Sequence, residues 1–149
     1  MSRVHVSTQI QASLQEVWDT VMNPDRFGDW VTIHRSVEKV SERPLREGAT
    51  MEQTLRMHGV SFRVKWSLAH VSAPCEAEWD GRGPAGSRAH IGYRLSGGDG
   101  EPTTFDYINE FTTPGGRLGN AASRMFVGGA SEREAENSLS RLKALLENR

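Results

Sequence analysis

Hydrophobic positions along the chain follow two periods. Through residues 115–149, apolar and small side chains recur at Leu118, Ala121, Met125, Gly128, Ala135, Leu139, Leu142 and Leu146, in steps of three and four interrupted at Glu132. That spacing marks one stripe of a long amphipathic helix. Arg124, Arg133, Glu134, Arg141, Lys143 and Glu147 occupy its other face. A helix with one apolar stripe has to lie on something. The middle of the chain, which alternates with period two, supplies it. The pattern predicts a curved antiparallel sheet wrapped around the helix, with a cavity between them.

In chain order, Val4, Val6, Thr8 and Ile10 alternate with polar residues and predict a first strand. Ser13 and Glu16 form an S-x-x-E capping box, so a helix begins there with Leu14, Val17, Trp18 and Val21 inward. Asn23-Pro24 ends it, and Pro24 opens a second short turn of helix through Phe27. Residues 31–40 read as a strand without a clear register. Met51, Gln53, Leu55 and Met57 precede the tight turn His58-Gly59, and Val60, Phe62, Val64, Trp66 and Leu68 follow it. This is the clearest hairpin in the chain. A short strand over 75–81 points Cys75, Ala77 and Trp79 one way, and a glycine- and proline-rich loop follows over 81–86. Ala89, Ile91, Tyr93 and Leu95 mark the next strand, Gly97-Gly98-Asp99-Gly100 a flexible turn, and Thr103, Phe105, Tyr107, Asn109 and Phe111 the last strand. The predicted class is α+β, with about seven strands, two short helices after the first strand and one long C-terminal helix. Connections this short exclude parallel crossovers.

The 149 residues, 25% charged and 36% apolar, predict one globular domain over 1–149. A net charge of −1 without a basic stripe argues against a nucleic-acid partner. No apolar run is long enough for an integral membrane segment. No apolar signal core follows Met1, and Cys75 is the single cysteine, so a cytoplasmic location is expected. The expected oligomeric state is monomer or weak dimer.

Several stretches carry a resemblance. They are Ile10-Gln11-Ala12-Ser13 through Val17-Trp18, then Asn23-Pro24-Asp25-Arg26-Phe27-Gly28-Asp29-Trp30, Gly48 before a strand, Glu78-Trp79-Asp80-Gly81, residues 111–116, and Ser138-Leu139-Ser140-Arg141-Leu142-Lys143. Together they resemble the START-like (SRPBCC) superfamily, among its polyketide cyclase/dehydrase-like members. The resemblance covers essentially the whole chain and implies the helix-grip fold. Such proteins include cyclases of aromatic polyketides, lipid carriers, ubiquinone-binding proteins and chaperone activators. The likeness therefore implies a fold and leaves the activity to the site.

The alternation directs large side chains inward, with few polar ones among them. The expected ligand cavity is lined by Trp30, Met51, Gln53, Leu55, Phe62, Val64, Trp66, Trp79, Ile91, Tyr93, Phe105, Tyr107, Asn109, Leu118, Ala121 and Met125. An apolar cleft with a few convergent polar groups suits a hydrophobic small molecule. Some of these residues are plain core, and packing alone accounts for Trp18 and Trp30 as the superfamily's structural tryptophans. Glu132 has two readings. On a continuous helix it falls on the apolar stripe between Gly128 and Ala135, a buried carboxylate and so a functional candidate. The favoured alternative is a helix weakened by about 2 kcal/mol at Gly128-Gly129 and restarted at the capping box Ser131-x-x-Glu134. Glu132 then lies in an exposed first turn.

The histidines His5, His34, His58, His70 and His90 are scattered without metal-ligand spacing, and no G-x-S-x-G occurs, so neither a metal nor a cofactor is expected. A cyclase would need donors and a base, which Tyr93, Tyr107, Asn109, Gln53 and either His34 or Arg35 can supply. Arg63, Arg88 and Arg94 point outward by alternation, which favours simple binding. Three functions follow in order of preference. A binder of a lipid, isoprenoid or polyketide-like aromatic predicts an apolar cavity with few charged walls. A cofactor-independent cyclase or dehydratase predicts a titratable group inside. A protein-interaction module of the chaperone-activator or ribosome-associated kind predicts a filled core and an exposed apolar patch.

Overall fold

The period-two stretches form seven antiparallel strands in a single sheet, ordered β1-β7-β6-β5-β4-β3-β2. A computed structural model describes residues 2–97, 100–112 and 130–148. The strands are β1 (Ser2–Ile10), β2 (His34–Glu38), β3 (Thr50–Met57), β4 (Val60–Ser72), β5 (Glu76–Arg82), β6 (Arg88–Ser96) and β7 (Thr103–Thr112). The six later strands form a meander, and β1 returns to pair with β7. The sheet curls into a half-barrel with the C-terminal helix against it, the helix-grip arrangement.

Helix α1 (Leu14–Val21) starts where the capping box places it, with Ser13 Oγ accepting from the Glu16 N–H at 3.2 Å. Asn23 then caps a single 3-10 turn (Pro24–Arg26), its Oδ1 accepting from the Asp25 N–H at 3.0 Å. The chain runs on into α2 (Phe27–Trp30), which buries Phe27 and Trp30.

The strand expected over 31–40 shortens to β2. The Val31 N–H closes α2 on Phe27 O, and the His34 N–H bonds Val31 O, so residues 31–33 are spent on a turn. A register irregularity between His34 and Ser36 is the physical reason the pattern showed no clear register. Both central residues of the His58-Gly59 turn have positive φ, 51° and 79°. That backbone twist is the one a two-residue hairpin needs.

The described part of the C-terminal helix is α3 (Ala130–Glu147), which buries Ala135, Leu139, Leu142 and Leu146 in the core. Leu118, Ala121, Met125, Gly128 and Gly129 lie outside the described residues, as do Gly98 and Asp99. Glu132 is exposed in the first turn of α3, while the break expected at Gly128-Gly129 lies outside the described residues. The cap itself differs from expectation. The helix already includes Ala130, and Glu134 turns its carboxylate to Thr32. At its other end α3 is tied to β1. Lys143 Nζ donates to Gln9 O at 2.6 Å, and Glu147 Oε2 accepts from the Gln11 N–H at 2.7 Å.

Candidate ligand cavity

Strand register determines which inward side chains are neighbours. Met51 faces Trp66, Gln53 faces Val64, Leu55 faces Phe62, Trp66 faces Gly81, Ile91 faces Asn109 and Tyr93 faces Tyr107. Two adjoining lobes lie against this concave surface, the first of them between it and α3. The first, ≈ 80 Å³, is lined by Phe27, Trp30, Val31, Ile33, Met51, Gln53, Met57, Trp66, Trp79, Ile91, Tyr93, Tyr107, Asn109, Glu134, Ala135, Ser138 and Leu139. The second, ≈ 90 Å³, shares Val31, Ile33, Gln53, Trp66, Ile91, Tyr107 and Asn109, and adds Leu55, Phe62, Val64, Ala89 and Phe111 among others. Each exceeds several-fold the roughly 10–15 Å³ that one water needs.

Most of the expected residues therefore meet around one space. Phe105 does not join them on the wall. It is fully buried behind it, edge-on to Trp30 with ring centroids 6.2 Å apart and tilted against Tyr93 at 5.4 Å. Leu118, Ala121 and Met125 belong to the undescribed stretch. Sequence reasoning missed Phe27, Val31, Ile33, Glu134 and Ser138. Their signal was weak: the first three sit on α2 and the turn after it, where no period operates.

Two polar groupings stand in the apolar wall. In the first, the Trp66 indole donates to Gln53 Oε1 at 2.9 Å, and Gln53 Nε2 lies 2.9 Å from His34 Nδ1. Indole nitrogen only donates, so Gln53 must present its oxygen to Trp66 and its NH2 to His34. His34 Nδ1 accepts, and the neutral ring carries its hydrogen on Nε2. Burial lowers the His34 pKa, and an accepting Nδ1 suits the neutral ring. Arg35 beside it is exposed.

The second grouping is Tyr107 with Asn109, whose Nδ2 donates to the Tyr107 oxygen at 3.2 Å. Burial pushes the Tyr107 phenol up to about 12, with the Asn109 bond pulling the other way. Burial also raises Tyr93, and the neighbouring Tyr107 phenol adds to it. Both remain neutral donors at pH 7. Asn109 Oδ1 and Trp30 Nε1 are buried and have no hydrogen-bond partner among the described residues.

Glu134 is the one charged side chain among the described residues of either lobe. Its Oε2 accepts from the Thr32 hydroxyl at 2.5 Å, and Ser138 Oγ accepts from the Thr32 N–H at 3.1 Å. Arg63, Arg88 and Arg94 are exposed on the opposite face of the sheet. Among the described residues no group of three or more His, Cys, Asp or Glu is placed to hold a metal ion. No described helix is long and apolar enough to cross a membrane.

This geometry can be set beside known proteins. A family model described as "Polyketide cyclase / dehydrase and lipid transport" matches residues 1–147. The chain belongs to the polyketide cyclase/dehydrase and lipid transport family. It is 28% identical over 88 residues to the uncharacterised protein Rv1546 of Mycobacterium tuberculosis, covering 59% of this chain and 62% of that one. Toxin Rv0910 of the same organism is 22% identical over 91 residues, covering 61% of this chain and 63% of the toxin. The chain thus spans less than two thirds of the length of these curated relatives. Among solved structures, the Zhui aromatase/cyclase from Streptomyces sp. R1128 superposes with a TM-score of 0.81 at 16% identity, over 99% of this chain and 94% of that one. At that identity the likeness shows the family's fold, and the site must speak for the chemistry.

Proposed function

We propose that this protein binds a hydrophobic small molecule, of the lipid, isoprenoid or polyketide-like aromatic kind, between the sheet and α3. The observation that carries this reading is the wall itself: two joined lobes of aromatic and aliphatic side chains, a few amide and phenol groups, and one carboxylate among the described residues. Val60 is the one exposed large hydrophobic side chain among the described residues, which weighs against an interaction module built on an apolar patch. Mass spectrometry of the protein, purified from its own host without denaturation, tests the proposal. A stoichiometric hydrophobic compound is expected, absent from Trp66→Ala and Tyr107→Ala proteins that still fold. An empty protein that also gains no thermal stability from lipids, quinones or aromatic polyketides overturns it.

Glu134 favours a second reading, a cofactor-independent cyclase or dehydratase. A carboxylate facing the same lobe as two neutral phenols offers a base for an activated C–H and donors for a carbonyl oxygen. Under that reading Glu134→Gln keeps ligand binding and loses turnover. Under simple binding it changes neither.

A further inference from the structure

Two residues that line the first lobe each carry a buried polar atom with no hydrogen-bond partner among the described residues, and the two atoms are of opposite kind. Trp30 is 1% exposed and its Nε1–H is a donor without an acceptor among the described residues. Asn109 Oδ1 is an acceptor without a donor, while the same amide gives its Nδ2–H to Tyr107. Buried polar groups are almost always paired, and leaving one unpaired is costly. An unpaired donor and an unpaired acceptor on residues lining one lobe indicate what that lobe is shaped to receive.

The groups between them extend the pattern. The Trp30 and Tyr93 ring centroids are 6.3 Å apart, edge-on, and those of Tyr93 and Tyr107 6.1 Å, tilted, so a band of aromatic rings runs from Trp30 towards Asn109. Tyr107 already accepts from Asn109, which leaves its own hydrogen to donate. The lobe holds no Lys or Arg among its described residues, and Glu134 puts a negative charge at its edge. An anionic ligand would lose its hydration there without gaining a cation from the described residues.

We infer that Trp30 and Asn109 form a two-point subsite for a neutral, flat ligand with an accepting carbonyl oxygen and a separate donating hydroxyl, and that the cavity selects against carboxylates. The carbonyl takes the Trp30 N–H, the hydroxyl gives its hydrogen to Asn109 Oδ1, and the aromatic band covers the body. This rests on the binding reading above and narrows it: among hydrophobic molecules, fatty acids and other anionic lipids are disfavoured.

Four probes of similar shape test it: naphthalene, acetylnaphthalene, a naphthalene bearing acetyl on one ring and hydroxyl on the other, and naphthoate. Binding to the full chain is followed by calorimetry at pH 7. Each hydrogen bond to an otherwise unpaired buried partner should be worth about tenfold in affinity, so the hydroxyacetyl probe binds tightest and naphthoate weakest. Trp30→Phe should remove about tenfold for both acetyl probes and nothing for naphthalene. Asn109→Leu should remove the advantage of the hydroxyl alone. Each variant's melting temperature is recorded, and Asn109→Leu still decides the matter if Trp30→Phe fails to fold. Equal affinities across the neutral probes, naphthoate binding as well as they do, or variants that lower naphthalene binding as much as the others would overturn the subsite and leave the binding reading standing. Failure of every probe to bind would overturn both.

Discussion

Gly81 shows how one missing side chain shapes the cavity wall. It faces Trp66 across β4 and β5, and a Cβ at that position would sit 2.6 Å from Trp66 Cζ3 and 2.8 Å from Val64 Cγ1. The indole therefore lies over the glycine, in the position from which it bonds Gln53. Gly81→Ala should force the ring aside and break that bond, at a cost of about 1–3 kcal/mol, the usual range for overpacking. Chemical denaturation and tryptophan fluorescence would show it; unchanged stability with an unchanged emission maximum would mean the ring has room. At this scale the sequence was partly legible. A two-residue turn at His58-Gly59 dictates the β3–β4 register, so Gln53 and Trp66 can be recognised as diagonal neighbours from spacing alone. The link from Gln53 on to His34 cannot, because it crosses the long β2–β3 connection to a strand with an irregular register.

Among the elements, α3 determines the shape of the site. Ala135, Leu139, Leu142 and Leu146 bury its stripe, while Glu134 and Ser138 reach over to Thr32 on the turn after α2. Stripe and latch differ in kind, and their removal should differ in size. Leu142 is fully buried, so Leu142→Ala should cost about 2–5 kcal/mol through lost burial and the cavity left behind. Ser138→Ala leaves the Thr32 N–H without its acceptor and should cost about 1–3 kcal/mol. Urea denaturation curves would rank them; a Ser138→Ala loss as large as that of Leu142→Ala would make the latch the principal attachment. The stripe was readable from its three-four spacing. The latch was not, because its two halves are separated by 106 residues and neither follows a period. For the same reason the stripe's spacing singles out Glu132, which interrupts it, while Glu134, on the polar face of that pattern, lines the cavity.

For the molecule as a whole, the sheet separates two chemistries, and two histidines report on them with opposite sign. His34 is held neutral by burial, so its folded pKa lies below the ordinary value near 6.5. In the window between those values the unfolded chain binds more protons. His34's contribution is therefore complete above about pH 6.5 and is lost as pH falls through its folded pKa. His90 pairs with Asp80 at 2.8 Å and Glu78 at 3.4 Å. Burial alone would lower its pKa, but Asp80 and then Glu78 outweigh burial and raise it. Its contribution is complete below about pH 6.5 and is lost as pH rises through its folded pKa. The two slopes oppose each other, and single variants should separate them. His90→Asn should leave a protein whose stability increases with pH below 6.5. His34→Asn, which keeps an oxygen to accept from Gln53, should leave one whose stability decreases as pH rises above 6.5. Each slope is bounded at about 1.4 kcal/mol per pH unit for a single proton, and solvent screening keeps that of His90 well under the bound. Melting temperatures from pH 5.5 to 8.5 would test the pair. Parallel profiles for the two variants would mean that neither histidine has its protonation coupled to the fold.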